Sequence, residues 1–76
     1  MQEVLEFLIK AVIDEHEGIE IESEETDKNI DFRVKVADGE LGKLIGRKGK
    51  TINAIRTMMK AASRESGKKV NVEVLD

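Results

Sequence analysis

Hydrophobic and polar residues repeat with different periods along the first half of the chain, and each period predicts one element. Apolar side chains recur at helical spacing over residues 3–15, with Gly18 as a candidate stop, which predicts an amphipathic helix. Strict alternation predicts one strand over residues 19–22 and a second over residues 30–36. Residues 23–29 are polar and mostly acidic, so they are predicted to be the loop of a hairpin. The helical stripe consists of Val4, Leu5, Leu8, Ile9, Val12 and Ile13.

The second half of the chain predicts two further helices. Asp38 is a candidate N-cap for a short helix over residues 39–45, and residues 46–49 then interrupt regular structure. Helical spacing returns over residues 50–65, and Gly67 follows as a typical helix end. The apolar face of this longer helix is predicted to contain Ile52, Ile55, Met59 and Ala62, with Met58 at its edge.

A last strand over residues 70–74 completes the order α-β-β-α-α-β. Each predicted strand has one apolar face and each helix one apolar stripe, so the two layers can cover each other. We therefore predict an α+β fold with three helices packed on one face of a three-stranded mixed sheet. The strands on either side of the helix pair are predicted to be parallel. A chain of 76 residues is long enough for one small domain, residues 1–76.

Charge is distributed unequally between the two halves of the chain. The formal net charge is −3, but residues 1–40 have four Lys or Arg against thirteen Asp or Glu, whereas residues 41–76 have nine against three. The local charges are therefore −9 and +6, which sum to −3. A basic face of this kind favours a polyanionic partner, although charge alone also fits a surface that binds nothing.

Composition removes several classes of function. There is no Cys, so disulfides, thiolate metal sites and thiol nucleophiles are excluded. The apolar runs are much shorter than the ~18 residues of a membrane span, and no secretory signal precedes them. His16 has no converging partners, and the acidic segment 22–27 lacks calcium-loop spacing, so no metal site is expected. We expect a soluble, cytoplasmic protein without cofactor, metal or membrane association.

An enzymatic function is not expected either. Gly49-Lys50-Thr51 matches the end of a phosphate-binding P-loop, but that motif requires Gly where this chain has Leu44. A predicted helix, rather than a strand, precedes the loop. No Ser/His/Asp set or close carboxylate pair can be argued from the sequence.

The informative segment is the glycine-interrupted basic turn at residues 46–49. Gly46 and Gly49 can adopt positive φ and let a ligand backbone approach closely, because they have no Cβ. Arg47 and Lys48 place two positive charges between them. The free amides that begin the following helix add the positive end of its dipole. Such a turn fits the phosphodiester backbone of a nucleic acid.

These residues and their flanks resemble the KH domain. The family motif is an aliphatic pair, then G-x-x-G, then an aliphatic residue three positions on, and here these are Leu44-Ile45, residues 46–49 and Ile52. The order of elements is similar to the prokaryotic, type II KH arrangement over all 76 residues. A chain of this size that ends Gly-Lys-Lys-Val-Asn-Val-Glu-Val is similar to the KhpA family of small single-KH bacterial RNA-binding proteins.

The resemblance implies a binding site for about four nucleotides of single-stranded RNA, in a groove between the helix pair and the sheet edge. The glycine turn would clamp the sugar-phosphate backbone, and residues 23–29 would be the variable loop of the family. The aliphatic floor would come from Leu41, Leu44, Ile45, Ile52 and Ile55, with Val34 and Val36 beside them. The predicted RNA-binding set is Lys43, Leu44, Ile45, Gly46, Arg47, Lys48, Gly49, Lys50, Ile52 and Arg56.

The resemblance also implies partners and a cellular role. Members of this family tend to form homodimers or heterodimers with a larger KH-containing protein. The resemblance implies a role in RNA-based post-transcriptional regulation or RNA chaperone activity.

Several of these assignments have structural alternatives. The aliphatic residues of the motif belong first to the core, with one or two partly exposed in the groove. Lys43 and Lys50 fit both a phosphate contact and a solvated side chain. Arg56, Lys60 and Arg64 recur every four residues, which is typical of a solvated helix face and also fits a stripe that steers phosphates. A different class of function, a protein-interaction or dimerisation module with weak RNA affinity, would not need the two basic residues inside the turn.

Overall fold

The computed structural model describes residues 1–76 and has the predicted α-β-β-α-α-β order. Three short 3₁₀ turns occur beside the longer elements, at Asp38–Glu40, Arg47–Gly49 and Arg64–Ser66. The helices are α1 (Gln2–Val12), α2 (Leu41–Ile45) and α3 (Lys50–Ala62), and the strands are β1 (Glu20–Glu25), β2 (Asn29–Lys35) and β3 (Lys69–Val74).

The three strands form one mixed sheet in the order β1-β2-β3. β1 and β2 are antiparallel, with Ile21 opposite Val34, and β2 and β3 are parallel, with Phe32 opposite Val72. The pairings confirm the predicted hairpin and the predicted parallel strands around the helix pair. Because both sheet edges are formed by β1 and β3, the central strand β2 is the most buried of the three.

A core of 13 buried apolar residues joins the helices to one face of the sheet. Its wholly enclosed members come from every helix and from β2, and burial of each such side chain contributes about 1.5–3 kcal/mol relative to exposure. The largest are Phe32, Leu5, Ile9, Leu44, Met59 and Val34. The predicted α+β architecture is therefore confirmed, with α2 and α3 anchored from below by the same core.

Four local predictions were wrong. Helix α1 ends at Val12 rather than at residue 15, because Ile13 is extended and the next backbone N–H bonds to a distant carboxylate. Strand β1 continues to Glu25 and β2 begins at Asn29, so four of the seven residues of the predicted loop 23–29 are strand. The backbone of β1 pairs with that of β2, and the acidic side chains of β1 are exposed. Asp38 makes no capping hydrogen bond and instead begins a 3₁₀ turn. Ala62 is exposed and Ser63 is buried in its place.

No helix of the structure has the length and apolar character needed to cross a lipid bilayer.

Candidate nucleic-acid interface

Gly46 and Gly49 both adopt the positive φ values that the turn was predicted to need. Gly46 has φ 77° and ψ 172°, and Gly49 has φ 76° and ψ 12°. A Cβ added to Gly46 would lie 2.7 Å from Thr51 Cβ and 2.9 Å from the Thr51 nitrogen, so no larger residue fits. At Gly49 the nearest atom to such a Cβ would be 3.7 Å away, so there the backbone conformation alone selects glycine.

Lys48 is the one residue other than glycine with a positive φ, at 56°. This left-handed conformation costs a residue with a Cβ about 1–2 kcal/mol. It turns the chain sharply inside the 3₁₀ turn, so that the side chains of Arg47 and Lys48 are both exposed. No side chain caps the first turn of α3, which follows directly.

The cations around the turn fall into two groups. Arg47, Lys48 and Lys50 are exposed and form no ion pair. Lys43 instead pairs with Asp14 and lies 3.9 Å from Glu40, and these contacts raise the pKa of its ammonium group. Of the two lysines that flank the turn, Lys50 is therefore free for a ligand, whereas Lys43 is already engaged.

Most of the aliphatic residues of the motif belong to the core that supports the turn. Leu44 is wholly buried and Ile52 is 5% exposed, so neither has surface to offer a ligand, and their place in the predicted binding set is corrected to the core. Of the rest of the predicted groove floor, Ile55, Val34 and Val36 are buried as well. Leu41 and Ile45 are half-buried, so these two provide the apolar surface beside the turn.

Arg56 is not freely solvated, because two of its nitrogen atoms donate hydrogen bonds within the protein. Its Nε donates to the carbonyl oxygen of Val72 at 3.0 Å, and one of its terminal nitrogens donates to Asn53 Oδ1 at 3.2 Å. Its guanidinium therefore bridges α3 and the edge strand β3. Lys60 and Arg64, which share its spacing, are exposed and form no ion pair.

An apolar groove of about 370 Å³ lies on the other side of α3, against α1. Met58, which lines it, is 52% exposed, and Phe7, one helical turn before the lining residue Ala11 on α1, is 71% exposed. Sequence analysis placed Met58 at the edge of the core face, and it missed Phe7. One feature of the sequence could have indicated its exposure, because the apolar residues of α1 cover more of the helix circumference than a single buried stripe requires. The groove is lined by Leu8, Ala11, Val12, Lys50, Thr51, Ala54, Ile55 and Met58.

A G-x-x-G turn between two helices, inside an α-β-β-α-α-β fold with a mixed sheet, defines a type II KH domain. The model of the KhpA/KhpB KH-domain family matches residues 2–74. The chain therefore belongs to the KhpA/KhpB family.

Curated relatives match over nearly the whole chain. The RNA-binding protein KhpA of Bacillus subtilis is 36% identical over 76 residues, which is 100% of this chain and 94% of the relative. The protein of the same name from Clostridium perfringens is 35% identical over 99% of this chain and 100% of the relative. The one from Listeria monocytogenes is 30% identical, and the match covers both chains completely. No solved structure gives a significant match to the chain.

Proposed function

We propose that the protein binds single-stranded RNA and holds its backbone at the 46–49 turn. The observation that carries this proposal is the state of the cations there, because Arg47, Lys48 and Lys50 are exposed without a carboxylate partner. Gly46 and Gly49 expose the backbone between them, so phosphates can approach closely. The curated relatives carry the name RNA-binding protein, which supports the same function.

The composition of the site sets the expected strength of binding. Three free cations correspond to a slope of about 2 when the logarithm of the affinity is plotted against the logarithm of salt concentration. Base stacking on aromatic side chains adds about 1–3 kcal/mol per base where it occurs. Here Phe32 is buried and Phe7 belongs to α1, so the turn itself contains no aromatic side chain. The affinity is therefore weak and sensitive to salt, with little discrimination between bases.

Charge reversal at the tip of the turn tests the proposal. The double variant Arg47→Asp and Lys48→Asp should lose binding to a labelled single-stranded RNA of random sequence, measured by fluorescence anisotropy. Circular dichroism and melting should stay unchanged, because both side chains are exposed and Asp tolerates the positive φ of Lys48.

The matched control is the double variant Lys28→Asp and Lys69→Asp, which changes the net charge equally. Both lysines are exposed, and they are neighbours because the amide of Lys69, the first residue of β3, donates to the carbonyl of Lys28 in the hairpin turn at 2.9 Å. This control should keep most of the affinity. Equal binding by the turn variant and the wild type would contradict the proposed function.

We infer a second function, self-association, from the exposed apolar groove between α1 and α3. This surface is on a different flank of α3 from Arg56, and of the three free cations only Lys50 lines it, so a dimer leaves Arg47 and Lys48 of both turns accessible. Two linked turns on one RNA raise the apparent affinity without any new contact. A larger KH-containing protein is the alternative partner. Light scattering with and without a short RNA measures both association states.

The cellular role that agrees with these properties is post-transcriptional regulation or RNA chaperone activity in the cytoplasm. A weak, salt-sensitive site with little base discrimination suits transient contact with many RNAs. Strand-annealing and RNA co-purification assays on wild type and the Arg47→Asp, Lys48→Asp variant test this role.

A further inference from the structure

The flank of α3 that faces the edge strand carries three residues at helical spacing. Gly49, Asn53 and Arg56 are four and three positions apart, so they lie one above another on the same side of the helix. Asn53 is exposed, and sequence analysis did not include it among the binding residues. It stands between the glycine that begins α3 and the arginine that bridges to the sheet.

The Val72 carbonyl that anchors Arg56 belongs to the free edge of the sheet. β3 is an edge strand, and at its two ends the amides of Lys69 and Leu75 donate to the carbonyl oxygens of Lys28 and Val34, at 2.9 Å and 2.8 Å. Backbone groups alternate in direction along a strand, so the carbonyl of Val72 points away from β2. The Nε of Arg56 donates to it at 3.0 Å, which fixes the guanidinium at this edge.

The anchored guanidinium in turn fixes the side-chain amide of Asn53. An arginine has only donors, so the amide atom 3.2 Å from its terminal nitrogen must be the acceptor Oδ1. The Nδ2 group then points to the opposite side, where it lies 3.7 Å from the position that a Cβ of Gly49 would occupy. This nitrogen donates to no atom of the protein, whereas Oδ1 is engaged. A fixed, unused donor therefore faces the bare Cα of Gly49.

We propose that Asn53 Nδ2 donates a hydrogen bond to the nucleotide that sits against Gly49, and that Arg56 is the positioning residue that orients this amide. The inference rests on the proposed binding of single-stranded RNA and adds a specific contact to it. The acceptor is an oxygen or ring nitrogen of the nucleotide, on its phosphate, ribose or base. Arg56 thereby acts through Asn53, rather than through a phosphate contact of its own.

Two substitutions at Asn53 distinguish a ligand contact from a structural one. Asn53→Ala removes the donor and should weaken binding of a labelled oligouridylate about three- to tenfold, the usual range for one neutral hydrogen bond. Asn53→Asp keeps an acceptor for Arg56, so thermal stability should be equal or higher than that of the wild type. It replaces the donor with an anion, so it should bind more weakly than Asn53→Ala. A purely structural role predicts the reverse order of affinities.

Gln2→Glu is the matched control for Asn53→Asp. It makes the same change from amide to carboxylate at an exposed position in the first turn of α1. Its affinity should stay within twofold of the wild type.

The acceptor atom on the nucleotide can be located by measuring how much Asn53→Ala weakens the binding of oligomers of U, A and C, each as RNA and as DNA. Equal weakening on all of them indicates phosphate, loss confined to RNA indicates the ribose hydroxyl, and unequal weakening indicates a base.

A double-mutant cycle tests the positioning role of Arg56. Arg56→Met should weaken binding in the wild type but add little in the Asn53→Ala background, because both changes remove one contact. Additive losses would show that Arg56 contacts the ligand directly, and the positioning role would be wrong.

The two proposals fail separately. If Asn53→Ala and Asn53→Asp bind like the wild type while the Arg47→Asp, Lys48→Asp variant loses binding, the Asn53 contact is wrong and the RNA site stands. If the turn variant also binds like the wild type, the proposed function is wrong.

Discussion

The side chain of Glu40 accepts a hydrogen bond from the backbone N–H of Asp14 at 2.9 Å, across 26 positions of sequence. Glu40 is 7% exposed and lies at the end of the 3₁₀ turn that leads into α2. Its second oxygen is 3.9 Å from the Lys43 ammonium group. One buried carboxylate thus joins the end of α1 to the helix that supports the glycine turn.

Glu40→Ala should destabilise the protein by about 1–3 kcal/mol, because it leaves the Asp14 N–H without its partner. Glu40→Gln keeps an acceptor oxygen and should cost less. Urea unfolding measures both. Glu65→Ala removes an exposed glutamate of the last 3₁₀ turn and should change stability little. Equal effects of Glu40→Ala and Glu65→Ala would contradict the joining role.

The hydrogen bond between Asp14 and Glu40 could not be predicted from the sequence, because the pattern of apolar residues does not indicate which remote side chains will meet. Periodicity reports which face of an element is buried, so it located β2, β3 and the core side of α3, whereas the glycine turn was recognised from its glycines and basic residues. The end of α1 at Val12 depends on Glu40, which is remote in sequence. The exposure of Ala62 and the anchoring of Arg56 on Val72 likewise depend on tertiary packing.

Asp14→Asn should strengthen RNA binding about two- to fivefold at low salt. Asp14 holds the ammonium group of Lys43 and competes with phosphate for it. Glu15→Gln removes the same charge one position further on and does not release Lys43, so it separates general electrostatics from local competition. If both variants gain affinity equally, Lys43 has no part in the site. The measurement is anisotropy at two salt concentrations, and the gain should shrink at the higher one.

The same ion pair predicts a dependence of stability on pH. The hydrogen bond and charge of Lys43 lower the pKa of Asp14, and the hydrogen bond and charge of Asp14 raise the pKa of Lys43. The interaction that lowers the pKa of the Asp14 carboxyl stabilises the fold fully when the pH is above the ordinary pKa of an aspartate. This stabilisation is lost as the pH falls through the lowered pKa. The interaction that raises the pKa of the Lys43 ammonium group stabilises the fold fully when the pH is below the ordinary pKa of a lysine. This stabilisation is lost only in strong alkali.

The difference in unfolding free energy between the wild type and Asp14→Asn should therefore be constant from about pH 5 to pH 9. It should decline as the pH falls below the ordinary pKa of an aspartate, because Asp14 then becomes protonated. Urea titrations across this range measure it. A difference that vanishes near neutral pH instead would indicate that the pair does not form in solution.

The two glycines of the turn should respond differently to alanine. Gly46→Ala should destabilise by more than about 2 kcal/mol, because the new Cβ would meet the backbone of Thr51 in addition to the strained φ. Gly49→Ala has room for a Cβ and should cost only the strain of a left-handed residue, about 1–2 kcal/mol. Gly42→Ala, inside α2 with no atom near its Cβ, should stabilise by about 0.5–1 kcal/mol. Thermal melting ranks the three, and any other order would show that the turn relaxes around a new Cβ.

The apolar surface beside the α1–α3 groove gives the last prediction, because a monomer gains nothing from leaving Phe7 in water. Phe7 and Met58 are both more than half exposed, and they lie on neighbouring helices that line one groove. Phe7→Ser with Met58→Ser should convert a dimer to a monomer in light scattering, without lowering the melting temperature of the monomer much. RNA affinity should fall in parallel when the RNA is long enough to reach two turns, and stay unchanged on a tetranucleotide. A monomeric wild type at high concentration would remove self-association as the explanation. An unchanged dimer in the double variant would place the interface elsewhere on the surface.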